Sequence, residues 1–94
     1  MKEDLLKIIN HYGVMPQLKY FQSEVFELNE AIIRFDVPRS NLFKEDIAGE
    51  IADVMVMLKQ FQYNYGIKDE DVEDIMKYKI ERQLNRIAKG DSDE

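Results

Sequence analysis

Two stretches of this chain carry apolar residues at alternating spacings of three and four, and that recurrence constrains the fold more than any other feature. Leu18, Phe21, Val25, Leu28 and Ile32 form the first series; Ile47, Ile51, Val54, Leu58, Phe61 and Tyr65 form the second. Only a 3.6-residue helical period keeps such positions on one face. No stretch alternates polar and apolar residues as a half-buried strand would, so the sequence predicts an all-α domain. The segment Asp36-Val37-Pro38-Arg39-Ser40-Asn41 interrupts the pattern and separates two long helices, over roughly 16–34 and 42–65. A connection this short favours an antiparallel helical hairpin. A first helix over roughly 3–12 puts Leu5, Ile8, Ile9 and Tyr12 on one face and stops at Gly13, and Pro16 suits the first turn of the next. Gly66 closes the third helix. A fourth, over roughly 70–89, follows Asp69 as N-cap, opens with Glu70, Asp71, Glu73 and Asp74, and ends near Gly90. Residues 1–90 thus read as a single domain, and 91–94 as a disordered acidic tail.

Val54 to Leu58 is apolar all round, as in a helix with neighbours on more than one side. A 94-residue chain buries a limited core. The helices are therefore expected to complete a four-helix bundle core on homo-oligomerisation, which a light-scattering mass of 11.2 kDa would contradict.

Composition narrows the chemistry. Nineteen acidic against thirteen basic residues give a net charge of −6, which disfavours nucleic acid or an anionic membrane as partner. The longest apolar run is the five residues Val54 to Leu58, far below the ~20 of a membrane span. The start Met1-Lys2-Glu3-Asp4 does not resemble a secretory signal, and cysteine is absent, so a cytoplasmic location is expected. Without cysteine there is no thiolate nucleophile. One histidine, His11, supplies no multi-histidine centre, and Ser23, Ser40 and Ser92 are the only aliphatic hydroxyls. Carboxylates, lysines, arginines and bound metal are what remain for catalysis.

Six pairs of acids stand three residues apart, against about four expected from random placement, so location has to discriminate. Pairs 70/73 and 71/74 sit at a helix start, where the macrodipole favours them, and 91/94 lies in the tail. Glu24 and Glu27 are mid-helix, offset from their apolar stripe by about 70° and 130°. Glu50 and Asp53 are offset from theirs by about 60° and 120° in the same sense. In an antiparallel hairpin a shared sense brings both pairs to one side, and both are equidistant from a turn between Pro38 and Arg39. Four carboxylates are expected at one level. They need neutralising, either by Lys or Arg of another helix or by a hard divalent cation, Mg²⁺ or Mn²⁺.

These residues also carry a resemblance. Gln17 to Ile32, with Glu24-x-x-Glu27, followed after 22 residues by Glu50-x-x-Asp53, resembles the MazG-like nucleoside triphosphate pyrophosphohydrolases, whose signature is ExxE, a spacer and ExxD. The resemblance runs from about Gly13 to Arg82. It implies an all-α homodimer or homotetramer that uses Mg²⁺ to split a nucleoside triphosphate into monophosphate and pyrophosphate. It implies metal-ligand roles for Glu24, Glu27, Glu50 and Asp53, and phosphate binding by Lys79 and Arg82, which match a K-x-x-R segment. Glu24 is the first choice for the residue that takes the proton of the attacking water, with Glu27 and Glu50 as the alternatives. Ser23 stands where many relatives have a second glutamate, and Lys77-Tyr78 where an asparagine often precedes the basic pair. The Ser23 departure permits another reading, a catalytically inactive helical interaction or regulatory module. Tyr20, Phe35 and Phe43 offer stacking surfaces for a base or serve the core, and Met55, Met57 and Met76 read as core or interface filling.

Overall fold

The computed structural model describes residues 1–37 and 41–90. Every regular element among them is a helix: α1 (Lys2–Tyr12), α2 (Val14–Phe35), α3 (Lys44–Asn64) and α4 (Asp69–Ala88). The expected turn between Pro38 and Arg39 and the acidic tail 91–94 lie outside the described residues.

Gly13 alone separates α1 from α2. Its φ of 93° belongs to the region that favours glycine. In that conformation its N–H closes α1 on the Ile9 carbonyl at 2.8 Å, while its own carbonyl accepts the Gln17 N–H at 3.2 Å and opens α2. Pro16 falls in the first turn of α2, where its missing N–H has no intrahelical partner to lose. At the start of α3 the Asp46 carboxylate accepts the Phe43 N–H at 2.7 Å, and the Asp46 N–H returns to the Phe43 carbonyl.

α2 and α3 pack as the antiparallel pair the stripes require. Phe21 meets Phe61 edge to face with centroids 5.7 Å apart, one residue from each series. α1 lies across this pair, mainly on α3, and the deepest apolar core is Leu5, Ile9 and Met57. Beside it two amides are also buried, Gln17 and Gln60, joined by a 2.8 Å hydrogen bond between α2 and α3.

α4 stands apart. Beyond contacts of its first residue with α3, it packs against none of the other helices, and it buries none of its residues. The sequence expectation of Asp69 as N-cap needs revision: Lys68 holds that position without a side-chain cap, and Asp69 is the first helical residue. Its carboxylate faces back to α3 and accepts Lys59 Nζ at 2.5 Å, Gln62 Nε2 at 2.8 Å and the Tyr63 hydroxyl at 2.9 Å. These donors, the Lys59 ammonium foremost, hold the Asp69 carboxyl down at about 2. The unfolded chain protonates it near the ordinary 3.8, so the clamp's contribution is complete above that value and is lost as pH falls through about 2. Asp69→Ala is expected to speed amide hydrogen exchange in the first turn of α4 at neutral pH; unchanged exchange there would show that the clamp does not hold the helix.

The accessible surface is 7882 Å², against about 5,700 Å² for a compact monomer of this mass. The radius of gyration is 16.6 Å where a compact chain of this length has about 12 Å. Leu58 and Ile51 of the α3 stripe remain half exposed, as do Met76, Ile80 and Leu84 of α4.

Candidate metal centre and adjoining cavity

The hairpin brings carboxylates from both long helices together. One oxygen each from Glu24, Glu27 and Glu50 lies within 4.8 Å of the others. Glu24 is buried, Glu50 half-buried and Glu27 exposed, so the cluster opens to solvent on one side. Asp53 stands outside this triplet. It is near enough for its charge to act on Glu50, and it lines a neighbouring cavity together with Glu24.

Each of these side chains is where the helical period puts it. Glu24 and Glu27 are neighbours on α2, as Glu50 and Asp53 are on α3, because three residues make slightly less than one turn. The antiparallel register then sets one pair opposite the other. Gly49, next to Glu50, has no heavy atom within 4 Å of where a Cβ would be, so this side of α3 is open beside the cluster.

The electrostatics are those of like charges held close together. Glu24 Oε2 and Glu50 Oε2 are buried and accept no hydrogen bond. Burial raises the Glu50 carboxyl above the usual carboxylate value, and the negative charges of Glu27, Asp53 and Glu24 raise it further. The Tyr20 phenol is raised as well, chiefly by its hydrogen bond to the Glu24 carboxylate and by that carboxylate's charge. The expectation that Lys or Arg of another helix neutralises Glu24 and Glu27 finds no such pair: among the described residues the ion pairs are Arg34–Glu30 and Lys59–Asp69.

An anionic oxygen taken out of water without a partner is strongly unfavourable. Oxygen-only donors at this spacing fit a hard divalent cation, and the orphaned Oε2 atoms of Glu24 and Glu50 are the observation that supports such a fit.

A cavity of about 580 Å³ adjoins the cluster, with Tyr20, Glu24 and Asp53 on its near side and Gln17 and Gln60 on its far side. Its size suits a small organic ligand. The sequence singled out Tyr20 here but missed Gln17 and Gln60. Glutamine on the edge of an apolar stripe carries no signal of its own, and the clue lay in register: Gln17 and Gln60 are equidistant from the same turn as the acidic pairs.

Lys79 and Arg82 are not brought to the carboxylates within one chain, because α4 leaves α3 without packing on the hairpin. Arg82 instead lines a shallow groove on α4 with Tyr78, Glu81, Asn85, Arg86 and Lys89. Phe35 sits at the opposite end of the hairpin, Phe43 is exposed, and exposed His11 stacks edge to face on Tyr12. No helix among the described residues is long and apolar enough to cross a membrane. Comparison with known proteins returns no matching family model, no matching curated protein and no matching solved structure.

Proposed function

We propose that this chain is a divalent-metal-dependent nucleoside triphosphate pyrophosphohydrolase of the MazG-like kind, with Glu24, Glu27, Glu50 and Asp53 as its metal-binding residues. The observation that carries the reading is a convergent carboxylate triplet with two buried, unpartnered oxygens, placed at the edge of a ligand-sized cavity. Mg²⁺ or Mn²⁺, held by these carboxylates, would supply positive charge for the triphosphate and make water more acidic there.

The chain's own groups have separable tasks. Glu27 and Glu50, the more accessible members of the triplet, would hold the cation where phosphates can reach it from solvent. Glu24 is buried beside the Tyr20 hydroxyl, which suits it to take the proton from water as that water attacks phosphorus. The bond between the α- and β-phosphates breaks, and the electron pair leaves with pyrophosphate. Lys79 and Arg82 neutralise that leaving group. They do so from a second copy, since α4 does not reach the hairpin of its own chain. The excess exposed surface and the uncovered apolar face of α4 support a homodimer or homotetramer with a four-helix bundle core.

Product analysis tests the reaction class. Incubation with a deoxynucleoside triphosphate and Mg²⁺ is expected to give monophosphate and pyrophosphate in equal amounts. Diphosphate with orthophosphate would assign a different cleavage, and no turnover by folded protein would favour a non-catalytic helical module.

A further inference from the structure

The far side of the cavity holds an amide whose orientation is locked. Gln60 is 1% exposed and its Nε2 lies 3.6 Å from Met57 Sδ, an acceptor without a proton to give. Turning the Gln60 oxygen to that sulfur would set two acceptors against each other, so Oε1 is presented to Gln17. Gln17 Nε2 donates to it at 2.8 Å and directs its other hydrogen to the same sulfur at 4.0 Å. Both donors of Gln17 are turned inward. With Nε2 engaged there, and no hydrogen bond to its Oε1 found among the described residues, the oxygen is the polar atom Gln17 has left to offer the cavity it lines.

Position along the helices says what this oxygen meets. Gln17 lies seven residues before Glu24 and Gln60 seven residues after Asp53, two turns or about 10.5 Å on each helix. A nucleotide with its phosphates at the carboxylates would span that interval with its base outward, past Tyr20 and between the apolar side chains of Ile8, Val56 and Met57. The edge of the base farthest from the sugar then faces Gln17.

We propose that this cavity holds the base and that Gln17 Oε1 selects bases with an amino group on that far edge, cytosine and adenine, over their keto counterparts, uracil and hypoxanthine. A free glutamine would rotate its amide to suit either class. This one is held by Gln60 and Met57, so a keto oxygen meets a second acceptor and an amino group meets a hydrogen-bond partner. The inference rests on the pyrophosphohydrolase reading and specifies the substrate class of that site.

Calorimetric titration of the full chain with CMP, UMP, AMP and IMP in Mg²⁺ tests it, because each pair differs at the amino or keto position that Gln17 would read. CMP is expected to bind about tenfold more tightly than UMP, and AMP about tenfold more tightly than IMP. Gln17→Leu, with its helicity verified by circular dichroism, is expected to bring both ratios close to one. Equal or reversed ratios in the wild type overturn the proposal without reference to any variant, as do ratios unchanged in Gln17→Leu. Absence of binding by all four, where triphosphates still release pyrophosphate, overturns the base cavity alone; absence of both removes the proposal together with the reading beneath it.

Discussion

Replacing Glu50 by glutamine is expected to raise the melting temperature of the metal-free protein at neutral pH by a few degrees and to erase its response to Mg²⁺. Most substitutions near a folded core destabilise, so the first half of this result has an unusual sign. It follows from the direction in which the folded state moves the group. Burial, reinforced by Glu27, Asp53 and Glu24, raises the Glu50 carboxyl above its ordinary 4.5. Below the ordinary value both states are protonated and the site imposes no penalty. As pH rises through the window up to the raised value, folding takes up a proton and stability falls; above that window the ionised carboxylate is a standing penalty. Glutamine has no charge to desolvate, and its amide can donate to neighbouring carboxylate oxygens. The second half follows from linkage: Mg²⁺ at about one hundred times its Kd should stabilise the wild type by roughly 10 °C. Thermal melts of both proteins, with Mg²⁺ and with chelator, read both effects. A metal-free variant that melts below the wild type, or one that keeps the Mg²⁺ shift, would contradict the assignment of Glu50.

Ile80→Glu with Leu84→Glu is expected to reduce the protein to an 11.2 kDa particle and to abolish catalysis while leaving the carboxylate cluster intact. α4 has 20 residues, buries none of them, and is tied to the rest of the chain through Asp69. Most of a helix's stability in a protein comes from packing its apolar face, which α4 does not do within its own chain. Ile80 and Leu84 are each more than half exposed, and burying a side chain of this kind against a partner contributes about 1.5–3 kcal/mol. Two glutamates there remove that contribution and place charge in the contact. The double variant is expected to lose the helical circular dichroism of α4 along with its mass increment, and with it the proposed contribution of Lys79 and Arg82 to the site of another copy. Light scattering and turnover on the same samples check it. A wild type already at monomer mass, or a monomeric variant of full activity, would defeat the account of α4.

The helical hairpin was legible because periodicity reports directly on which face is covered. Two stripes with the same spacing and a short break between them admit few packings, and Phe21 against Phe61 is the contact those stripes require. The convergence of Glu24, Glu27 and Glu50 was legible for the same reason, since offset and sense on each helix fix the side on which a carboxylate emerges. Asp53 falls at the edge of the cluster, because a helix-wheel offset gives direction but not the reach of a shorter side chain. The detachment of α4 was not legible. Its sequence carries an apolar face like the others, and nothing in the spacing of Met76, Ile80 and Leu84 says whether that face meets its own chain or another. Asp69 was misread for a related reason: the N-cap preference is local, whereas Lys59, Gln62 and Tyr63 recruit its carboxylate from the preceding helix.

The most direct test of the carboxylate centre is pyrophosphate release from a panel of common and modified nucleoside triphosphates, with Mg²⁺ or Mn²⁺ and with chelator, for wild type and Glu50→Gln in parallel. Release that requires the metal and disappears in the variant is the predicted result. Release that persists in chelator or in Glu50→Gln, or no release from any substrate by folded oligomer, would contradict it.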